Sequence, residues 1–408
     1  PALWNLKLNK IKLANNNVEY NDLNKPSKEN SFDENHTHLS DLNLEADDIS
    51  IDNQKVQGSI ISLSAQGDDK FSIKTFSGAF KITNTEATVL DFALKTQNSN
   101  LKLTAQAGFR SLSELLNNYE RTKFDLNVQP STIALSDIRY FSPALMDSIP
   151  EFIRQENLSI NSHMVGTLDN LKISKLNLAV LSNTTTTLHG SVKGLPDIER
   201  TLFDISIDSL HTVAYDFEEL LPDSLTQSFQ LPNWISLSGN FKGTIKQPTV
   251  QVFLTSEDGG LDASGTMNFT SLPTYDAKIN LKKLNLGKIL KQTDVGKLEA
   301  TASIKGSGFS MDSLDATADI LISKFEYKDY HYHDFTLKGA MNKYLFSGSA
   351  ELKDENLDFE FKGDMDYQSD IPRYTFTFDL KNADFKNLHL SERPLKARAT
   401  LDIDLVTR

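Results

Sequence analysis

The stretch Leu298-Glu-Ala-Thr-Ala-Ser-Ile304, followed by Leu314-Asp-Ala-Thr-Ala-Asp-Ile-Leu-Ile322, decides the fold of this chain. Leu298, Ala300, Ala302 and Ile304 share one phase of a two-residue repeat, and so do Leu314, Ala316, Ala318, Ile320 and Ile322. Most residues between them are polar. A period of two is that of a β-strand, and strict alternation gives a sheet with one greasy face and one wet face. The pattern returns in Leu357, Phe359 and Phe361, in Tyr374, Phe376, Phe378 and Leu380, and in Leu401, Ile403 and Leu405.

Outward from there, the same alternation marks 73–82, 89–95, 101–107, 124–128, 158–166, 171–180, 202–210, 235–245, 250–254, 261–269 and 275–281. Roughly two dozen strands are expected, joined by connectors short enough for an antiparallel meander. Helical text is scarce. Ser111 with Glu114 forms a capping-box signal ahead of Leu115 and Leu116, and Asp216 with Glu219 repeats it before Leu220, Leu221 and the stop at Pro222. Residues 286–292 can make a turn or two, and 137–153 is a mixed segment interrupted by Pro143 and Pro150. These read as short plugs between strand groups, which excludes a parallel sheet with crossover helices. The polar stretch 21–35 reads as an exposed loop. Gly239, Gly243, Gly265, Gly306, Gly308, Gly339, Gly348 and Gly363 all fall on the apolar phase, where glycines mark bulges or let a sheet curl toward its greasy face.

A chain of 408 residues is too long for one ordinary sandwich. The absence of cysteine excludes disulfides and thiolate metal sites. A net charge of −13 without any basic run argues against nucleic acid or an anionic membrane surface as partner. No apolar run is long enough to span a membrane as a helix. The chain opens without Met in strand-like text at 3–13 and closes inside strand-like text at 399–406, so it is expected to be an internal piece of a longer protein.

Sites of chemistry are few. His331-Tyr332-His333-Asp334 offers two histidines at i and i+2 with a carboxylate beside them, but Tyr327, Tyr330 and Tyr332 fit an aromatic edge better. Asn35-His36-Thr37-His38 is similar and sits beside a loop, and Asp47-Asp48 and Asp68-Asp69 read as solvated turn residues. Gly306-Ser307-Gly308 lacks the strand-to-helix setting of a nucleophile elbow. No phosphate loop or dinucleotide fingerprint is present, so neither an enzyme nor a cofactor or metal is expected. Asp147-Ser148-Ile149, Asp208-Ser209-Leu210, Asp223-Ser224-Leu225 and Asp312-Ser313-Leu314 repeat a triplet that resembles a bacterial O-glycosylation signal.

Leu237-Ser-Gly-Asn-Phe-Lys-Gly243, Gly259-Gly-Leu-Asp-Ala-Ser-Gly265 and Tyr275-Asp-Ala-Lys-Ile-Asn-Leu281 with Leu284-Asn-Leu286 resemble the AsmA-like superfamily, its TamB-like members in particular. Leu298–Gly308 and Asp315–Ile320 continue in the same style. So does the opening, from Trp4-Asn-Leu-Lys-Leu8 through Val18-Glu-Tyr20 and Phe32-Asp33 to Leu39-Ser-Asp-Leu-Asn-Leu44. The resemblance implies a mainly β fold: a long, continuous, mostly antiparallel sheet curled lengthwise into an elongated groove, a β-taco, with a few short helices. Residues 1–221 would form its N-terminal part with short helical insertions, and 222–408 its C-terminal part.

The function implied is transfer of phospholipids, their acyl chains carried along the groove across the periplasm between inner and outer membranes. The inner-membrane anchor would lie outside this sequence. An outer-membrane barrel of the Omp85 type is an implied partner, with barrel assembly or secretion as the alternative role. The lining is expected on the apolar phase: Leu261, Ala263 and Met267; Leu298, Ala300, Ala302 and Ile304; Leu314, Ala316, Ala318, Ile320 and Ile322; Phe346, Ala350 and Leu352; Leu357, Phe359 and Phe361; Tyr374, Phe376, Phe378 and Leu380; Leu401, Ile403 and Leu405. A structural or adhesive β protein would instead pack those residues into a dry core between facing sheets.

Overall fold

The computed structural model describes residues 5–28, 31–52, 55–67, 71–146, 149, 151–218, 221, 228–369 and 371–406. The protein is mainly β, with 67% strand and 8% helix, so helices are too few to cover the apolar faces of the strands. It is an open antiparallel β-structure of 22 strands that does not close into a barrel.

Two compact units divide at Leu210–His211. The first holds β1 (Leu6–Asn21), β2 (His36–Ile51), β3 (Lys55–Gln66), β4 (Ser72–Thr83), β5 (Glu86–Thr96), β6 (Asn100–Gly108), β7 (Lys123–Ala134), β8 (Asn157–Thr167), β9 (Asn170–Val180) and β10 (Thr184–Lys193). Each pairs antiparallel with its chain neighbour. β11 (Leu202–Val213) carries the boundary. Register shifts interrupt most of the first unit's ladders; Asp41, Asp48 and Asp91 sit there at positive φ, where a short polar side chain tolerates the left-handed bulge conformation.

Two helices of the first unit interrupt the meander. In α1 (Leu112–Asn117), Ser111 Oγ accepts the Glu114 backbone N–H at 3.1 Å, as the capping signal requires. The Glu114 carboxylate reaches back one residue further than a capping box demands, to the Arg110 N–H at 2.8 Å. α2 (Leu135–Phe141) is anchored by Asp137, whose carboxylate accepts both Thr96 Oγ1 at 2.7 Å and Ser99 Oγ at 2.6 Å. Tyr140 and Phe141 of this helix form an aromatic cluster with Phe32 and Phe71. The 21–35 loop is largely exposed, as expected, and is tied down at Phe32, whose N–H donates to the Tyr140 carbonyl at 2.7 Å.

The second unit is more regular. It runs through α3 (Ala214–Phe217), β12 (Trp234–Gly243), β13 (Pro248–Ser256), β14 (Gly259–Asn268), β15 (Thr274–Asn285), α4 (Leu286–Leu290), β16 (Val295–Ser307), β17 (Asp315–Tyr327), β18 (Tyr330–Asn342), β19 (Leu345–Lys353), β20 (Leu357–Asp366), β21 (Arg373–Asp384) and β22 (Lys396–Val406). From β12 to β22 every strand pairs antiparallel with the next. Asn285 caps α4, its Oδ1 accepting the Lys288 N–H at 3.2 Å. Asp216 lies buried inside α3, whose N-cap is Val213; Glu219, Leu220 and Pro222, the rest of its capping signal, fall outside the described residues.

The glycines of the apolar phase mark close approaches between strands. Gly339, Gly348 and Gly363 are direct cross-strand neighbours. A Cβ on Gly363 would run into the Phe376 Cβ and the Thr375 carbonyl oxygen, so β21 approaches β20 here more closely than any residue but glycine permits. Gly308 lies beyond the end of β16 at φ +73°, a turn glycine rather than a strand one. Gly363→Val should therefore destabilise the protein by about 1–3 kcal/mol, as overpacking does, while Lys362→Ala on the polar face stays within about 0.5 kcal/mol. Urea denaturation of the two variants checks this; equal midpoints would contradict the close-approach account.

Candidate functional site

Cross-strand register turns the alternation of β12–β22 into continuous apolar rows. The first runs Leu237, Leu254, Leu261, Leu281, Ala300, Ile322, Phe335, Leu352, Phe359, Leu380, Ala399, one residue from each of the eleven strands. Two residues along each strand lies a second row, which includes Ala263, Ile279, Ala302, Ile320, Leu337, Ala350, Phe361, Phe378 and Leu401. The third contains Ile304, Ala318, the three adjoining glycines, Phe376 and Ile403. A fourth, from β14 onward, contains Met267, Tyr275, Ala316, Met341, Phe346, Met365, Tyr374 and Leu405.

All but three of the residues expected to line a groove fall in these rows. Leu298 pairs with Phe325 beyond the first row, Leu357 pairs with Ala383 in the same zone, and Leu314 sits in the connection before β17. Row members absent from that expectation, such as Leu237, Leu254, Ile279, Leu281, Phe335 and Leu337, carry the same alternation signal within their strands. The polar face is laced with cross-strand ion pairs, among them Lys338 with Asp319 at 3.4 Å and Arg373 with Asp404 at 2.9 Å. Exposed pairs of this kind add little stability but disfavour a register slip.

Exposure separates these rows from a closed core. Of all row members only Gly239, Ala300 and Leu352 are buried; the others remain half-exposed, or exposed as in Met267, Leu401 and Leu405. Eleven strands at about 4.8 Å spacing and four rows about 6.8 Å apart give a face of roughly 48 by 20 Å, on the order of 1,000 Å². Contiguous apolar patches on soluble monomers seldom exceed a few hundred Å², and larger ones mark interaction sites. The first unit carries shorter rows of the same kind, such as Phe80, Val89, Ala105, Leu126, Met164 and Ile173. There Leu171, Ile173 and Val192 close into a buried cluster.

Beyond the first row, the second unit's face deepens into a recess of about 300 Å³. Ile322, Phe335 and Leu352 of the row line it together with Phe325, Tyr327, Tyr332 and Leu357. Residues 385–395 fold back here as a strap and insert Leu388, among the described residues the one large apolar side chain at 0% exposure, against Tyr332 and Leu352. His389 Nδ1–H donates to the Lys328 carbonyl at 2.7 Å, and Asn387 Nδ2 donates to Asn356 Oδ1 at 3.2 Å. Asp384 holds the strap's base through the Asn387 N–H at 3.2 Å and Lys396 Nζ at 3.0 Å; the Lys396 hydrogen bond leads in keeping its carboxyl below the usual range. Tyr330 donates its hydroxyl proton to Asp354 and accepts from Asn356 Nδ2 at 3.1 Å. Burial first, and the Asp354 hydrogen bond second, push that hydroxyl up to about 12.

The other candidates resolve into local structure. A left-handed residue at Asp334 (φ 54°) breaks the alternation of β18, so Tyr332 turns to the apolar face while His331 and His333 stay exposed. His331 Nε2 meets Glu326 Oε1 at 3.1 Å. His36 Nδ1 meets Asp33 Oδ2 at 2.9 Å, and Asp33, held down to about 2 mainly by the Lys28 N–H, organises the loop before β2. Among the described residues no group of three metal-ligating side chains exists. Asp47 and Asp48 lie within β2 rather than in a turn, and Asp68 and Asp69 fall outside the described residues. Of the Asp-Ser triplets, Ser209 is in β11 and Ser313 is hydrogen-bonded to Ser310 in the β16–β17 connection; Asp147, Ser148 and the triplet at 223–225 fall outside the described residues.

Leu388→Ala should cost about 2–5 kcal/mol, the range for truncating a buried leucine. The loss should be accompanied by faster amide hydrogen exchange across 385–395; unchanged exchange there would mean that Leu388 does not anchor the strap. No family model matches this chain, and neither a curated protein nor a solved structure matches it.

Proposed function

We propose that the protein is a non-enzymatic lipid carrier whose apolar face holds the acyl chains of phospholipids in transit. The observation that carries this reading is the set of apolar rows in the second unit, continuous over eleven strands and left half-exposed. Each methylene withdrawn from water onto such a surface contributes about 0.8 kcal/mol. Successive rows offer similar aliphatic and aromatic walls, so a chain displaced by one strand exchanges like contacts for like. That favours sliding over tight capture. Headgroups would stay in water beside the face.

The setting that fits is the periplasm of a double-membrane bacterium, in line with the resemblance to AsmA-like, TamB-like proteins, with phospholipids moving between the two membranes. The net charge of −13 works against non-specific adsorption to anionic lipid surfaces, which leaves contact through the acyl chains as the mode of recognition. A dry core is the weaker reading for the second unit, because interiors pack at crystal-like density and bury their large side chains.

A photocrosslinking amino acid at Phe359 or Phe376 should capture phospholipid in cells. Ala318→Asp or Ile320→Asp should abolish that capture while the β-sheet circular dichroism is retained. The introduced carboxylate is hydrated while the face is empty and must be desolvated when a chain lies across it. Capture of protein alone at both positions, or global unfolding of both aspartate variants, would contradict the proposal and favour a dry core.

A further inference from the structure

We propose that one rim of the second unit's sheet is a docking edge for a zwitterionic phospholipid bilayer. The inference goes beyond the carrier reading, since it concerns how the protein meets a membrane and not what the rows carry. Each strand from β12 to β22 pairs antiparallel with the next, so alternate connections gather on opposite rims. One rim collects the connections after β12, β14, β16, β18 and β20, at 244–247, 269–273, 308–314, 343–344 and 367–372. Each of these carries an exposed large apolar side chain: Ile245, Phe269, Phe309, Tyr344 and Tyr367 in turn, with Phe309 the most open at 66%. The three longer connections carry a second one. On the other rim, among the described residues, only the strap exposes large apolar side chains, at Leu390 and Leu395.

Charge, spacing and surroundings fit these tips to a bilayer rather than to a folded partner. Lys246, Lys343, Asp312 and Asp370 are the charged residues of this rim, which leaves it formally neutral in a chain of −13. An acidic chain can meet a lipid surface along such an edge without a basic patch and without repulsion. The short turns of the other rim bring Glu257 and Asp258, Lys328 and Asp329, and Asp354 and Glu355, groups that are costly to withdraw from water. Connections on one rim follow each other every second strand, about 9.6 Å apart, and polar residues such as Thr270, Ser310 and Gln368 stand between the tips. Separated anchors give a folded partner no contiguous patch, but each can enter a fluid interface on its own, where amphipathic rings such as tyrosine concentrate. The backbone at the tips is already paired. Phe269 N–H donates to the Lys246 carbonyl at 2.7 Å, Gly308 N–H to Pro273 at 2.8 Å and Tyr367 N–H to Tyr344 at 3.0 Å, so these donors enter the interface without losing a partner. The fourth row braces the rings from behind: the Phe309 ring stacks on Tyr275 with centroids 5.3 Å apart, and Tyr367 meets Tyr374 edge-on at 5.6 Å. The apolar face therefore runs on into the rim.

The test is sedimentation of the full chain with phosphatidylcholine vesicles. The chain should bind, and raising the salt from about 0.1 to about 0.5 M should change its affinity less than about two-fold, because no charge attraction is screened. Phe269→Ser and Phe309→Ser should each weaken binding about ten-fold, the factor for returning one ring to water, while Glu355→Ser on the other rim leaves it unchanged. The chain has no cysteine, so a polarity-sensitive dye can be placed at Phe309→Cys, Tyr367→Cys or Glu355→Cys alone. Vesicles should blue-shift the first two and not the third. Absence of binding, binding only when anionic lipid is added, or equal shifts at all three positions would overturn the docking edge. So would rim shifts that grow with protein concentration without vesicles, which would assign the rim to a second copy of the chain. Loss of the docking edge while a crosslinker at Phe359 still captures phospholipid would leave the carrier reading standing; rim binding without that capture would remove the carrier and keep the edge.

Discussion

Everything distinctive about this protein depends on antiparallel strands held in register. A side chain's face is set by a period of two, so a slip of one residue in any ladder would send a whole strand's apolar set to the solvent face. In β12–β22 the ladders keep Leu237 in line with Ala399, strand by strand. Where the ladders do shift, the shift is absorbed by a bulge: Lys283 (φ 49°) restores Leu284 to the face occupied by Leu281, and Asp334 does the same between Phe335 and Tyr332. The polar face helps to fix the choice through opposed charges, which would be mismatched after a slip.

Register also explains why the glycines matter together rather than singly. Gly339, Gly348 and Gly363 meet in one row, where three consecutive strands carry no side chain. The neighbouring Phe346 ring lies over Gly339 and Gly348, within the distance a Cβ would need. Side chains in that strip would collide with the Phe346 ring and with Phe376, so glycine is what lets these neighbours lie across it.

Much of this was legible in the sequence, and the reasons for the rest are physical. Alternation is a local property of each strand, so Leu298–Ile304 or Tyr374–Leu380 could be assigned a face from the text alone. So could the Ser111 cap, because its partners lie within three residues. Bulges at aspartate and lysine leave no strong local signal, so the turn of Tyr332 to the apolar face beside Phe335 follows from the ladder and not from the text. The recess was also beyond reach. It joins residues of β17–β20, and the burial of Leu388 beside it depends on a return of the chain 31 residues after Leu357.

The central claim is that the apolar face of the second unit is a working surface occupied by alkyl chains. Native mass spectrometry of the purified chain, after incubation with phospholipid vesicles and removal of free lipid, tests it most directly. The account predicts discrete mass increments of intact phospholipid on the folded chain, lost when the rows are interrupted by charge. A folded chain that carries no lipid under those conditions would contradict it.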